Sequence, residues 1–141
     1  MTVRVERTFD LAVPPEEVWE FIADPERRAS AISVVADYDV DTDRATWYIE
    51  LPIPLVNRTI PVETEDVERD EPRYVKFVGR ASAMRVVGEH EIEPTDDGCR
   101  LVNRFLVEGR LPGIERYFKR HLDDELTNLE NELREEVGVA S

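Results

Sequence analysis

The chain is 141 residues long, with 32 Asp+Glu against 18 Lys+Arg and a formal net charge of −14 at pH 7. Such a length suits one domain and buries roughly 70% of the unfolded surface, so a single core forms without metal or disulfide staples. Hydrophobic residues at 41% are enough to build that core, and an acid excess with no basic block excludes nucleic acid and anionic membrane as natural partners.

Residues 3–13 alternate, with Val3, Val5, Phe9, Leu11 and Val13 on one face and Arg4, Glu6, Thr8 and Asp10 on the other. Arg7 is the one break in the apolar row. The pattern predicts a half-buried strand. Pro14-Pro15 ends it. Pro15 fits the first turn of a helix, Glu16 and Glu17 suit the positive end of its dipole, and Val18, Trp19, Phe21 and Ile22 supply an apolar face. Asp24-Pro25-Glu26 then reads as a new cap. Two short helices are expected, over 15–23 and 25–31.

The middle of the chain reads as strands separated by turns. Val34, Ala36, Tyr38 and Val40 alternate, then Trp47, Ile49 and Leu51. Residues 52–57 form an apolar, proline-containing connection. Ile60, Val62 and Thr64 begin a strand closed by Arg69-Asp70-Glu71-Pro72, and Val75 and Phe77 mark another, ended by Gly79. Met84, Val86, Gly88, His90 and Ile92 share one face of the next. Asp97-Gly98 is a hairpin signal, and Leu101, Asn103, Phe105 and Val107 complete the set. About seven strands joined mostly by short turns predict an antiparallel sheet. The period then changes. Leu111, Phe118, Leu122, Leu129 and Leu133 share a helical face, flanked by Ile114, Leu126 and Val137, which predicts one long amphipathic helix over 112–137.

The resulting class is α+β: one strand, two short helices, six strands and a long helix. A curled antiparallel sheet must bury its apolar face against that helix, and any space left between them becomes an apolar pocket. Residues 9–26, Phe-Asp-Leu-Ala-Val-Pro-Pro-Glu-Glu-Val-Trp-Glu-Phe-Ile-Ala-Asp-Pro-Glu, resemble the opening of the START-like (SRPBCC, Bet v 1-like) superfamily. The branches it resembles most are the polyketide cyclase/dehydrase-like and coenzyme Q-binding-like proteins. The resemblance implies a single helix-grip domain over 1–141, with a seven-stranded curved antiparallel sheet wrapped around a long C-terminal helix. It also implies a hydrophobic cavity for a lipid-like or aromatic small molecule. One departure is that residues 27–33, Arg-Arg-Ala-Ser-Ala-Ile-Ser, lack the aromatic usual after this segment. The motif is structural and speaks to fold more than to chemistry.

The expected ligand-binding set is Tyr38, Trp47, Phe77, Met84, His90, Asn103, Phe105 and Phe118. His90 lies on an inward strand face and is a near cross-strand neighbour of Asn103, so the two form a polar patch that orients a ligand or simply satisfy each other. His121 and Glu125, one turn apart on the long helix, read either as a ligating or acid/base pair or as a surface pair. Two histidines and one cysteine give no metal-ligand cluster, and no phosphate loop or Gly-x-Ser-x-Gly elbow occurs, so no cofactor or metal is expected.

Three functions follow. The first is sequestration, transport or presentation of a hydrophobic small molecule. The second is a cyclase- or dehydratase-like enzyme with His90 as acid/base and Tyr38 or Asn103 as polarising donor. The third is an accessory protein acting through a partner at the apolar edge of the long helix or at the 52–57 loop, which also reads as a lid or as plain core. The single Cys99, the charged N-terminus and the lack of any spanning apolar run predict a cytoplasmic protein without stable membrane insertion. Lysine is confined to Lys76 and Lys119, and acid excess with scarce lysine resembles proteins of salt-loaded, halophilic cytoplasm. The acids fall on outward positions, so the cavity is expected to be almost free of charge.

Overall fold

The computed structural model describes residues 2–32, 34–41, 44–51, 59–110 and 113–136. Strand β1 (Thr2–Leu11) is followed by helices α1 (Pro15–Ile22) and α2 (Pro25–Ser30). Strands β2 (Val35–Asp41), β3 (Arg44–Ile49), β4 (Ile60–Asp70), β5 (Tyr74–Arg80), β6 (Met84–Thr95) and β7 (Gly98–Gly109) lead to α3 (Ile114–Glu136). This is the predicted order, and each element expected from the sequence is present with ends shifted by a few residues. The 52–57 connection lies outside the described residues.

Local chemistry sets the helix ends. Pro15 opens α1, and Asp24 caps α2 by accepting the Glu26 N–H at 2.9 Å. The seven strands form one sheet in the order β1-β7-β6-β5-β4-β3-β2, every pair antiparallel. Consecutive strands from β2 to β7 are neighbours, and β1 adds to the far side of β7. Helix α3 buries Ile114, Phe118, Leu122, Leu126, Leu129 and Leu133 against the sheet's inner face. Its nearest strand neighbours are β1 and β7. Arg7, the break in the apolar row of β1, is what ties the two together. Its guanidinium donates to Thr127 Oγ1 and to the Asp123 carbonyl at 3.3 Å, and lies 3.8 Å from Glu130.

One strand departs from the alternation read in the sequence. Val34, Ala36, Tyr38 and Val40 do not form a continuous inward row: Val34 is buried, but Ala36 is exposed and Val40 is 39% exposed. The register slips between Val35 and Asp37, and β2 is an edge strand, where bulges and charge are common. Strand β4 runs further inward than expected. Ile60, Val62, Thr64 and Asp66 are all buried before the register slips between Asp66 and Glu68.

Register brings the inner face into rows. Asp66, Phe77, Gly88, Phe105 and Val5 lie side by side across five strands, and Val75, His90, Asn103 and Arg7 form the next row. Gly88 makes the first row possible. A Cβ at this position would stand 2.2 Å from Phe77 Cε1, so the phenyl ring lies flat over a strand that has no side chain there.

Candidate functional site

Phe77 is the centre of the inner face and is 1% exposed. The rings of Trp47, Phe105 and His90 lie 5.4, 6.0 and 6.1 Å from it. Above it sits Arg28, whose guanidinium carbon is 4.9 Å from the ring centroid. Arg28 reaches there because α2 is capped at Asp24 and turns Arg28 and Ala29 inward. It reaches across Phe77 to the residue opposite that ring in register, and its Nη2 donates to Asp66 Oδ1 at 2.7 Å. The other carboxylate oxygen accepts from Arg69 Nη1 at 2.6 Å, and Arg69 also caps the Ala23 carbonyl at 3.2 Å. Two arginines thus share one buried carboxylate. Burial pulls the Arg28 guanidinium below its ordinary pKa, and Asp66 opposes that shift.

His90 is fully buried and sits 2.6 Å from Asn103, its Nδ1–H donating to Oδ1. Burial, then the positive charge of Arg28, push its pKa from 6.5 down to about 3; the Asn103 bond only partly offsets them. The ring is therefore neutral at pH 7.

These residues wall one side of an apolar cavity of about 40 Å³ between the sheet and α3. Its volume is room for about three waters. Six of the eight residues predicted to bind a ligand line it: Trp47, Phe77, Met84, His90, Phe105 and Phe118. Asn103 stands behind His90 and holds it. Tyr38 is not in the lining; it is half-buried on the edge strand, with its hydroxyl 3.4 Å from Glu26 Oε1. Tyr38 keeps the predicted face, opposite Trp47 in register, but stands on the edge strand, outside the lining.

Two charged residues that sequence reasoning left outside do line the cavity. Arg28 is 4% exposed and Glu125 5% exposed. The expectation of a cavity almost free of charge is corrected on both counts. Nothing in the sequence singles out Arg28, because α2 has six residues and is too short to show a period. A signal was available in β4: Asp66 continues the inward row of Ile60, Val62 and Thr64, and an inward carboxylate calls for a cation. Glu125 accepts from Asn128 Nδ2 at 3.3 Å. It does not act as a pair with His121, which lies on the outer side, 4.6 Å from the Tyr117 ring and 3.9 Å from Asp124.

Five buried side-chain atoms have no hydrogen-bond partner among the described residues: Arg28 Nε and Nη1, Trp47 Nε1, His90 Nε2 and Asn103 Nδ2. Four of the five belong to cavity-lining residues. Among the described residues, no cluster of His, Cys, Asp and Glu is placed to hold a metal, and no helix is long and apolar enough to cross a membrane.

The fold is shared with solved structures of low sequence identity. A START superfamily protein from Mycobacterium smegmatis superposes with a TM-score of 0.74 at 14% identity, covering 96% of this chain and 97% of that one. The Zhui aromatase/cyclase from Streptomyces sp. R1128 gives 0.74 at 14% identity, covering 98% and 94%. A conserved protein from Geobacillus kaustophilus gives 0.74 at 17% identity, covering 98% and 95%. No curated protein matches the sequence significantly. The family described as polyketide cyclase/dehydrase and lipid transport matches residues 2–134. With that span, the chain belongs to that family.

Proposed function

We propose that this protein binds a hydrophobic small molecule between the sheet and α3, as a cytoplasmic carrier or receptor. The observation that carries the reading is the wall itself: an apolar, aromatic-rich surface, three of whose residues hold buried polar atoms with no partner among the described residues. Binding pockets have that make-up, with burial supplying affinity and a few polar groups supplying orientation. A core selected only for stability satisfies such groups or omits them.

The cavity is too small for a ligand beyond a few waters, so uptake goes with movement of its walls. Helix α3 is tethered along β1 by Arg7, and by Arg134, whose Nη2 donates to the Asp10 carbonyl at 3.2 Å. The cavity lies on the other flank of the helix, toward Trp47 and Ile49 of β3. Swinging α3 about the β1 edge widens that flank without breaking these bonds. Binding is favoured over catalysis because the one inward histidine has a pKa of about 3. A base with that pKa is a weak proton acceptor near neutrality.

The test is native mass spectrometry of the purified protein, followed by solvent extraction and a titration with the neutral dye Nile red. The expected result is one apolar molecule per chain, either carried through purification or taken up as saturable dye. A protein that emerges empty and leaves the dye unbound overturns the reading.

A further inference from the structure

We propose that the outer face of the sheet, over β5, β6, β7 and β1, is the contact surface of a symmetric dimer, and that its partner is a second copy of this chain. On that face the register sets three rows across the four strands. The central row is Val78, Val87, Leu106 and Arg4. On one side of it run Arg80, Arg85, Glu108 and Thr2, and on the other Lys76, Glu89, Arg104 and Glu6. An antiparallel sheet with one solvated face alternates apolar inward and polar outward, and the central row breaks that rule on three adjacent strands. A trough runs over Val87 and Leu106, between Arg85 and Arg104.

Charge singles this face out. Its three rows carry five bases and three acids, in a chain whose acids outnumber its bases by 14. Two copies repel each other elsewhere and approach here. The order of the charges then selects the partner. A twofold axis in the interface, parallel to the strands and between β6 and β7, stacks the two sheets in the aligned manner of a β-sandwich. It sets β6 on the partner's β7 and β5 on the partner's β1. Arg85 then faces the partner's Glu108, Glu89 the partner's Arg104, and Lys76 the partner's Glu6. Val87 meets the partner's Leu106, and Val78 meets the alkyl stem of the partner's Arg4. Arg80 meets the partner's Thr2, so no like charges face each other in these rows. A twofold across the strands, through the central row, would instead set Arg80 against the partner's Lys76 and Arg4 against the partner's Arg4.

Within one chain, Arg85 lies 3.6 Å from Glu108 and Arg104 lies 3.1 Å from Glu6. The same pairs on the partner extend each of these into a network, and networks of charges hold where single exposed pairs contribute little. The patch is roughly 20 Å on a side, from the spacing of four strands and the rise along them. That is small for a specific interface, so the dimer is a weak one that forms at high chain concentration.

Sedimentation equilibrium at up to about 0.5 mM chain in about 0.15 M KCl, where repulsion beyond about 8 Å is screened, tests this. Wild type is expected to reach a dimer and nothing larger, because a twofold contact closes on itself. Arg85→Glu sets acid on acid at both symmetry-related contacts, and Glu108→Arg sets base on base. Each variant alone is expected to weaken dimerisation about tenfold or more. An equimolar mixture of the two is expected to recover it, because the mixed dimer has opposite charges at both contacts. The two side chains are 37% and 40% exposed, so the substitutions leave the fold in place, and recovery in the mixture requires both variants to be folded. A wild type that stays monomeric at that concentration overturns the proposal. So do single variants that dimerise as wild type does, and so does a mixture that stays monomeric.

Discussion

Asp66→Ala is expected to destabilise the protein by about 3–5 kcal/mol, whereas Arg28→Met, on the other side of the same ion pair, costs about 1–2 kcal/mol or less. The asymmetry follows from who is left behind. The Arg28 and Asp66 side chains are 5% and 2% exposed, while Arg69 is 37% exposed. Without Asp66, the Arg28 charge stays buried over Phe77 with no counter-ion and no route to water; Arg69 simply turns outward. Without Arg28, Asp66 still accepts from Arg69 at 2.6 Å, and the methionine fills much of the space on the aromatic face. Urea unfolding of the two variants and wild type gives the comparison directly. Equal losses would mean that the pair is not buried as described.

The second large effect is a dependence on pH. His90 has a folded-state pKa of about 3 against 6.5 for the free ring. As pH falls below 6.5 the unfolded chain takes up a proton at this site, and the folded chain resists until about pH 3. The stability contributed by neutral His90 is thus fully present above pH 6.5 and is lost as pH falls toward 3. Between pH 7 and pH 4 wild type should lose roughly 3 kcal/mol more than His90→Gln, which has no such proton to bind. The 32 acidic residues titrate over the same range but do so in both proteins, so the difference isolates His90. Unfolding free energies measured at several pH values for the two proteins check it. Parallel curves would show that the ring is already charged, or already wet, in the folded state.

The fold was legible because its signals are local and repeated. Alternation marked the strands, Pro15 and the Asp24-Pro25 cap marked α1 and α2, and a change of period at residue 111 marked α3. The aromatic part of the cavity followed from the same rows, since Trp47, Phe77 and Phe105 each continue a run of apolar residues at every second position. The hairpin signal near Asp97-Gly98 made His90 and Asn103 near cross-strand neighbours, and the observed turn at Asp96-Asp97, between paired Thr95 and Gly98, sets them directly opposite. What was not legible depends on tertiary placement. Arg28 is inward only because α2 folds over Phe77 toward Asp66, and a six-residue helix shows no face. Glu125 lies next to Leu126 on α3 and is buried by the width of the cavity rather than by the helical stripe. Tyr38 failed for another reason: it keeps its face, opposite Trp47, but lies on the edge strand, and alternation gives a face without giving how far the cavity reaches.

The central claim is that the space between sheet and α3 takes up an apolar molecule, and the two tryptophans report on it separately. Trp19 Nε1 donates to Glu71 Oε1 at 2.7 Å, outside the cavity lining, while Trp47 Nε1 has no partner among the described residues and belongs to the lining. The chain has only these two tryptophans, so a ¹H–¹⁵N spectrum carries two indole lines, assigned with Trp19→Phe. Titration with 1-octanol is predicted to move the Trp47 line saturably and leave the Trp19 line in place. A Trp47 line that stays fixed throughout the titration, or a Trp19 line that moves as far, would contradict the account.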